Sequence, residues 1–394
     1  MAGKAEIAVV GGGAAGCFAA VRLKELMPDC RVTVYESADR PLRKLALTGG
    51  GRCNITNRNA EGLKELYPRG FRAMKGFLRE FSAEDAVCWF ESHGLPLKEE
   101  EGGRMFPKSD SAMDVVRLLE REMKSRGVTL RTGAGIRDVS ELKADAVLVT
   151  TGGAGARGML PSEVALTPEA PSLFSFKIAG CAPLMGLSTS RSKLVIPGTG
   201  LRAEGPVLIT DWGLSGPAVL RLSSYAAYHL KENSYKSDLI INWAGVSEAE
   251  FKSWADGNRN ASRQVSNVPF PGIPHRLWED LLERSGLRAD LKWCEMGGKQ
   301  LQKLCAAATA DCRRITGRAP FRDEFVTAGG VALEGLNGLE SKAVPSLFFA
   351  GEVLDIDAVT GGFNLQAAWT TAAVAASRIA GKILSLHPCK QSGR

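Results

Sequence analysis

The sequence has no apolar run long enough to span a bilayer, which argues against a helical membrane protein. Its opening residues (MAGKAEIAVVGGG) run straight into a strand pattern. They lack the cationic start and cleavage site of a secretory leader, so the expected compartment is the cytoplasm and no membrane partner is expected. Histidine is scarce, at four residues with no metal-ligand spacing. No metal site is therefore expected, and no Ser-His-Asp or Cys-His set can be assembled. The nine cysteines form no C-x-x-C pair, and an odd, scattered number reads as reduced thiols rather than a disulfide frame. Internal repeats are absent. Neither charge sign dominates strongly: 50 Lys and Arg face 43 Asp and Glu, for a net charge of +7. The excess is uneven, because residues 259–318 hold eleven Lys/Arg against six Asp/Glu. Such a segment is either a solvated face or a candidate contact for an anionic partner such as RNA.

Glycine, by contrast, is abundant, with 44 residues in a chain of 394. The glycines gather in short runs at 11–16, 49–51, 152–158 and 361–362 rather than in a repeat. Clustered glycine marks backbone that turns tightly or lies close to something bulky, which favours a bound ligand. A length of 394 residues implies two or three domains. Residues 6–10 (EIAVV) read as a buried strand, residues 13–27 as an alanine-rich helix stopped by Pro28, and residues 31–36 (RVTVYE) as a second strand. Helices are expected over 71–93 and 109–126, with Ser109, Asp110 and Ser111 as candidate caps. Further strands are expected at 128–132, 146–151, 237–244 and 346–350, and a long helix over 366–384. Prolines at 161, 168, 171 and 183 loosen the pattern, placing a domain boundary near 160. Residues 245–318 read as mostly helical.

The opening βαβ unit carries Gly11-Gly12-Gly13-Ala14-Ala15-Gly16, a G-x-G-x-x-G fingerprint. Gly11 permits the tight turn, Gly13 lets backbone reach a pyrophosphate, and Gly16 lets the helix approach the strand. The helix N-terminus offers N–H groups and partial positive charge to the phosphates. Glu36, at the end of the second strand, is placed to accept hydrogen bonds from an adenosine ribose. These features predict dinucleotide binding without separating NAD from FAD.

Other segments favour the longer, flavin-bearing cofactor. Residues 43–57 (RKLALTGGGRCNITN) surround a second glycine turn with Arg43, Lys44, Arg52 and Asn54. Cys53 in that turn is expected as a packed thiol, and is the weakest of the catalytic candidates. Residues 147–153 (VLVTTGG) end a strand in Thr151 and Gly152. Near the C-terminus, FFAGEVLDIDAVTGGFNLQAAW joins a strand to Gly351, three acids (Glu352, Asp355, Asp357) and a helix start at Gly361-Gly362. A helix N-terminus here suits the anion that develops on a flavin ring at reduction, and Asp355 or Asp357 suits its ribityl chain.

The segments at 43–57, 205–223 (GPVLITDWGLSGPAVLRLS), 326–331 (VTAGGV) and 350–369 resemble the BaiN/YhiN-like family of FAD-dependent oxidoreductases over nearly the whole chain. The resemblance implies an α/β fold with a discontinuous, Rossmann-like FAD-binding domain of the glutathione-reductase type. Its two parts, 1–160 and 326–394, would flank an inserted domain at 161–325, β-barrel-like over 172–245 and helical over 246–320. By the same resemblance, Gly11, Gly13, Ala14, Ala15, Gly16, Glu36, Arg43, Lys44, Gly51, Arg52, Cys53, Asn54, Ile136, Thr151, Gly152, Gly351, Glu352, Asp357, Gly362, Phe363, Asn364 and Leu365 would line FAD. Two departures stand out. Residues 154–170 lack a short helix and Gly-His pair usual in relatives, and Asp211 stands where relatives commonly carry His.

The resemblance points to reduction of a conjugated C=C, either in an enone such as an oxo bile acid or in uridine of large-subunit ribosomal RNA. Both are α,β-unsaturated carbonyls, so hydride delivered to the β-carbon needs a donor at the enolate oxygen and an acid for the α-carbon. Asp211 and Ser215 are the candidate catalytic residues, and NAD(P)H is the candidate electron donor. The basic 259–318 segment inclines the reading toward RNA. An amine oxidase, a non-catalytic FAD-containing RNA-binding protein and a plain NAD dehydrogenase are the competing readings.

Overall fold

The computed structural model describes residues 4–153, 156, 158–319 and 326–386. Ala154, Gly155 and Arg157 of the divergent 154–170 segment lie outside the described residues, as do the boundary at 325 and residues 387–394. The chain forms two compact units, one of Met1–Ala170 with Val326–Arg394 and one of Pro171–Phe325. Residues up to Ala170 stay with the first unit because Thr167 N donates to Gly330 O at 2.8 Å and Ala332 N to Ala165 O at 2.9 Å.

The first unit is built on a seven-stranded sheet. Five strands are parallel, in the spatial order Thr129–Arg131, Arg31–Tyr35, Glu6–Val10, Ala146–Val149 and Leu347–Phe349. Antiparallel strands Glu340–Ser341 and Leu336–Asn337 extend the edge beyond Leu347–Phe349. Val9, Val34, Leu148 and Phe349 are all fully buried. That near-continuous apolar burial is what a parallel strand covered on both faces requires.

Helix Ala14–Leu26 follows the first strand and packs against helix Phe363–Leu386, whose alanines Ala372, Ala375 and Ala376 are buried. Between them Phe18 meets Trp89 edge-on at 4.6 Å and lies 5.4 Å from Trp369. The indole of Trp369 donates to Ile55 O at 2.9 Å, tying the C-terminal helix to the second glycine segment. A small antiparallel sheet, with Arg104–Pro107 between Thr56–Asn57 and Leu97–Glu100, continues from that segment. The helix expected over 71–93 is two helices, Phe71–Phe77 and Ala83–Ser92. Ser82 and Asp85 form a capping box that restarts the second.

The second unit carries an antiparallel seven-stranded sheet. Its order is Asp311–Ile315, Ser237–Asn242, Ser188–Val195, Arg202–Ile209, Gly213–Ser215, Phe176–Lys177 and Gly317–Arg318. Only Thr316 separates the first strand in this order from the last, so one continuous stretch of chain closes the sheet into a barrel-like ring. Residues 311–318, expected within the helical part, are therefore strands. Their polar sequence (DCRRITGR) hides the alternation, because the burial of Asp311 is satisfied by charge rather than by an apolar side chain. Asp311 accepts from Arg284 Nη1 at 2.7 Å, Arg313 Nε at 3.0 Å and the Trp243 indole at 2.9 Å. Helices Glu248–Asn258, His275–Arg284 and Gly298–Thr309 pack around an aromatic cluster of Phe251, Trp254, Phe270, Trp278 and Trp293.

Candidate cofactor site

The glycine loop is shaped by contacts that exclude side chains at two positions and leave a third bare. Gly11 has φ +110°, and a Cβ there would lie 2.5 Å from Thr150 O. A Cβ on Gly16 would fall 2.0 Å from Gly11 O and 2.5 Å from Thr150 Oγ1. At Gly13 a Cβ would meet nothing within 4 Å. Gly13 caps helix Ala14–Leu26 with no side-chain hydrogen bond and no acid in the first turn. The amides of Ala14, Ala15 and Gly16 precede the first intrahelical bond, which Cys17 N makes to Gly13 O at 3.0 Å. This is an anion-binding helix start approached across open space.

Glu36 follows the second strand, and its carboxylate is held beside the loop. Gly12 N donates to its Oε2 at 2.8 Å and Ala38 N to its Oε1 at 2.8 Å. Glu36 also pairs through its backbone with the segment leading to Ile136, since Ala134 N donates to Glu36 O at 2.8 Å. Half-buried Ile136 thus belongs to the neighbourhood of Glu36.

The second glycine segment is anchored to the first by Leu42, which sequence reasoning missed. Its N–H donates to Gly12 O at 2.8 Å, and its left-handed φ of +60° starts the short helix Arg43–Leu47. Arg43 and Lys44 are exposed on that helix. Lys44 Nζ reaches Glu352 Oε2 at 2.9 Å, across 308 residues of sequence. In the following turn Gly49, Gly50 and Gly51 have φ of +59°, +66° and +82°. Cys53 is fully buried, and burial pushes its thiol up to about 12, so it is a packed thiol with little thiolate for redox or nucleophilic work. The guanidinium of Arg52 is taken up by Asp110 and Glu100. Asn54 lies against the C-terminal segment, with its Oδ1 2.9 Å from where a Cβ on Gly362 would be.

Three further segments complete the cradle. After strand Ala146–Val149, Thr150 Oγ1 donates to Gly11 O at 2.8 Å, and Gly152 turns with φ +79°. Gly351 approaches helix Ala14–Leu26 so closely that a Cβ would sit 2.8 Å from Ala15 Cβ, and its N–H donates to Thr371 Oγ1 at 2.9 Å. Glu352 also accepts from Thr327 N at 2.8 Å, so both of its oxygens are engaged. Asp357 is fully buried, with each carboxylate oxygen bonded by Arg69. That pairing leaves Asp357 as an anchor of its segment rather than a free acceptor. Neighbouring Asp355 is pushed above the usual carboxylate range by burial, with the Thr167 hydroxyl opposing and Asp357 adding to the rise. Gly361 and Gly362 have φ of +122° and +97°. The amides of Phe363, Asn364 and Leu365 precede the first bond of the last helix, from Gln366 N to Gly362 O at 2.9 Å.

The residues fit an extended dinucleotide at three points. Among the described residues, two helix starts present amides with no backbone acceptor, Gly13 faces open space, and Thr151 Oγ1 and Asn54 Oδ1 are buried oxygens without a hydrogen-bond partner. A model of the HI0933-like protein Rossmann domain matches residues 5–378. The chain belongs to the HI0933-like family. It is a flavin-dependent oxidoreductase with a Rossmann-type FAD-binding domain, as its BaiN/YhiN-like motifs imply. Curated relatives include a 3-dehydro-bile acid delta(4,6)-reductase of Clostridium scindens, 28% identical over 93% of this chain and 97% of the relative. Another is a ribosomal RNA dihydrouridine synthase of Escherichia coli, 27% identical over 92% of this chain and 95% of the relative. Among solved structures, the FrdA chain of Escherichia coli quinol fumarate reductase is similar with a TM-score of 0.49 and 12% identity, covering 99% of this chain and 72% of that one.

In this family member the two catalytic candidates lie in the second unit. Asp211 is exposed at the turn between strands Arg202–Ile209 and Gly213–Ser215. Ser215 Oγ is 2.7 Å from Ser175 Oγ. Among the described residues no helix is long and apolar enough to cross a membrane. The cradle residues that sequence reasoning missed (Leu42, Thr150, Thr327, Thr371) act through backbone amides and short hydroxyls. No charge or glycine pattern flags such groups.

Proposed function

We propose that this protein reduces a C=C bond conjugated to a carbonyl in a small α,β-unsaturated ketone. The carrying observation is that two curated relatives, each matched over more than nine-tenths of this chain, bear names for reductions of that one bond type. A delta(4,6) double-bond system beside a 3-oxo group and the uracil ring of uridine share the conjugated carbonyl. FAD, when bound, supplies the hydride. Gly13, Ala14, Ala15 and Gly16 would hold its phosphates, Glu36 its ribose, and the start of helix Phe363–Leu386 would neutralise negative charge gathering at the ring. Lys44 and Thr327 hold Glu352 in place beside Gly152, keeping that wall of the cradle rigid. Asp211 and Ser215 are the proposed donors to the substrate, and NAD(P)H is the proposed source of electrons.

A small ketone is favoured over RNA because seven of the eleven basic side chains at 259–318 are engaged within the protein. Arg259, Arg284, Arg288, Arg313 and Arg314 are in ion pairs. Arg276 donates to Pro183 O, and Arg318 lies 4.2 Å over the Tyr235 ring. Arg263, Lys292, Lys299 and Lys303 are left exposed and without a carboxylate partner among the described residues, a modest footprint for a polyanion. Anaerobic, dithionite-reduced protein mixed with a 3-oxo-4-ene steroid should regain its oxidised flavin spectrum and yield the saturated ketone. Reoxidation by unmodified ribosomal RNA alone would move the substrate class to nucleic acid. Reoxidation by neither would defeat the proposal, and bleaching of the oxidised protein by an amine would favour an oxidase.

A further inference from the structure

Arg52 stands beside the cofactor cradle and has the side chain expected of a phosphate ligand. The geometry around it points elsewhere. Its Nε donates to Asp110 Oδ1 at 2.9 Å and its Nη2 to the same oxygen at 2.6 Å. Nη1 reaches Glu100 Oε2 at 3.4 Å, and Nη2 also bonds Glu100 Oε1. The planar group lies 4.2 Å over the Phe106 ring. Lys98 closes the far side of the cluster, 2.6 Å from Asp110 Oδ2 and 3.5 Å from Glu100 Oε1. All three guanidinium nitrogens and one face of the group are therefore engaged by the small sheet of Leu97–Glu100 and Arg104–Pro107 and by Asp110, three residues beyond it.

The turn that Arg52 belongs to needs such a tie. Gly49, Gly50, Gly51 and Cys53 are all left-handed. Among the described residues its closing bonds are mostly local: Arg52 N donates to Gly49 O at 3.3 Å and also to Thr48 O, Cys53 N to Thr48 O at 3.0 Å, and Thr48 Oγ1 to Leu45 O at 2.7 Å. At Gly50 and Gly51 a Cβ would meet nothing within 4 Å, so packing does not hold the turn there. A run of glycines with few contacts has many conformations to lose. We infer that Arg52 is a positioning residue that fixes the triglycine turn from outside the cradle, through Asp110, Glu100 and Phe106, and contributes no direct bond to the cofactor. The inference rests on reading residues 43–54 as part of the FAD cradle.

Hydrogen exchange of the 44–54 segment in the full-length, FAD-free protein, together with FAD affinity from flavin fluorescence quenching, tests it. Arg52→Gln is expected to speed exchange at residues 48–53 by about fivefold, the scale of an exposed ion-pair network, without a global change in exchange or melting temperature. The Asp110→Asn/Glu100→Gln double variant should reproduce that change and weaken FAD binding by the same factor as Arg52→Gln. Arg52→Lys should fail to rescue either, because an ammonium cannot form the fork or stack in the same way. If Arg52→Gln weakens FAD binding while exchange stays unchanged and the double variant is silent, Arg52 is a direct ligand and the inference is overturned. Unchanged exchange with FAD affinity intact overturns it as well. A wild-type protein that does not take up FAD at all would instead remove the cradle reading, whatever the exchange data show.

Discussion

Adding one methyl group at residue 13 and, separately, at residue 16 should split cofactor binding from folding. At Gly16 the new carbon would lie 2.0 Å from Gly11 O and 2.5 Å from Thr150 Oγ1, where ordinary contact begins near 3.4 Å. Backbone that also carries the Gly11–Tyr35 bond at 2.8 Å must then retreat by well over an ångström. Overpacking of this kind costs about 1–3 kcal/mol. The helical preference of alanine returns about 1 kcal/mol, and the rigid backbone contact puts the clash at or above the top of its range. A net loss of about 2 kcal/mol lowers the melting temperature of a unit this size by roughly 4–8 °C. At Gly13 the methyl would meet nothing within 4 Å, and φ −81° with ψ −169° suits alanine. Loss of glycine at the cap costs about 0.5–1 kcal/mol, a shift of only a few degrees. The same methyl blocks the approach of a pyrophosphate to the amides of residues 14–16. Losing one or two charge-assisted bonds worth about 1.5–3 kcal/mol each weakens FAD binding by at least tenfold. Melting of the flavin-stripped variants and fluorescence-quenching titration with FAD give both numbers. Wild-type FAD affinity in Gly13→Ala, or wild-type melting in Gly16→Ala, would refute the reasoning.

Replacing Arg69 by Leu strips fully buried Asp357 of the guanidinium that bonds both of its carboxylate oxygens. Urea denaturation should show a loss of about 3–5 kcal/mol, and a loss under 1 kcal/mol would contradict the assignment of Arg69 as its partner. The tie at Arg52 should also respond to acid. Lys98 and then Arg52 hold the Asp110 carboxyl below its ordinary range, and Arg52 and then Lys98 do the same for Glu100. Their contribution is complete above the unfolded carboxylate values near pH 4 and disappears as pH falls through the lowered folded values. Exchange at residues 48–53, corrected for its intrinsic pH dependence, should therefore stay constant from pH 7 to about pH 5 and rise only in stronger acid. A rise between pH 7 and pH 5 would count against the carboxylates as the groups responsible.

Much of the first unit was legible because its elements declare themselves locally. Residues 6–36 show the strand, glycine turn, small-residue helix and second strand in one uninterrupted βαβ run, and the fold repeats that order. The break in the 71–93 helix was also written in the chain, since Ser82 and Asp85 have capping-box spacing. Strand Asp311–Ile315 was illegible because two arginines and a buried aspartate occupy positions where a strand usually shows apolar alternation. At the site, residue type was legible and partner choice was not. Arg52 and Asp357 are both of the right chemistry for a cofactor, yet the carboxylates that claim Arg52 lie 48 and 58 residues away. The arginine that claims Asp357 lies 288 residues away. Competition between a ligand and a distant side chain for the same charged group leaves no trace in local spacing.

The pairing of strand Ala146–Val149 with Leu347–Phe349 has a consequence in time. During synthesis the earlier strand leaves the ribosome about 200 residues before its neighbour exists. At 5–20 residues per second the wait is roughly 10–40 s. Helix Ala14–Leu26 waits longer still for the apolar face of Phe363–Leu386. Through that interval the nascent protein carries an open strand edge and an uncovered aromatic cluster around Phe18 and Trp89, while residues 171–325 can close their own ring. The amides of residues 363–365 are made only after every other segment of the cradle. A chain truncated before residue 350 lacks Gly351 and the amides of residues 363–365, and in a fluorescence-quenching titration it should fail to bind FAD.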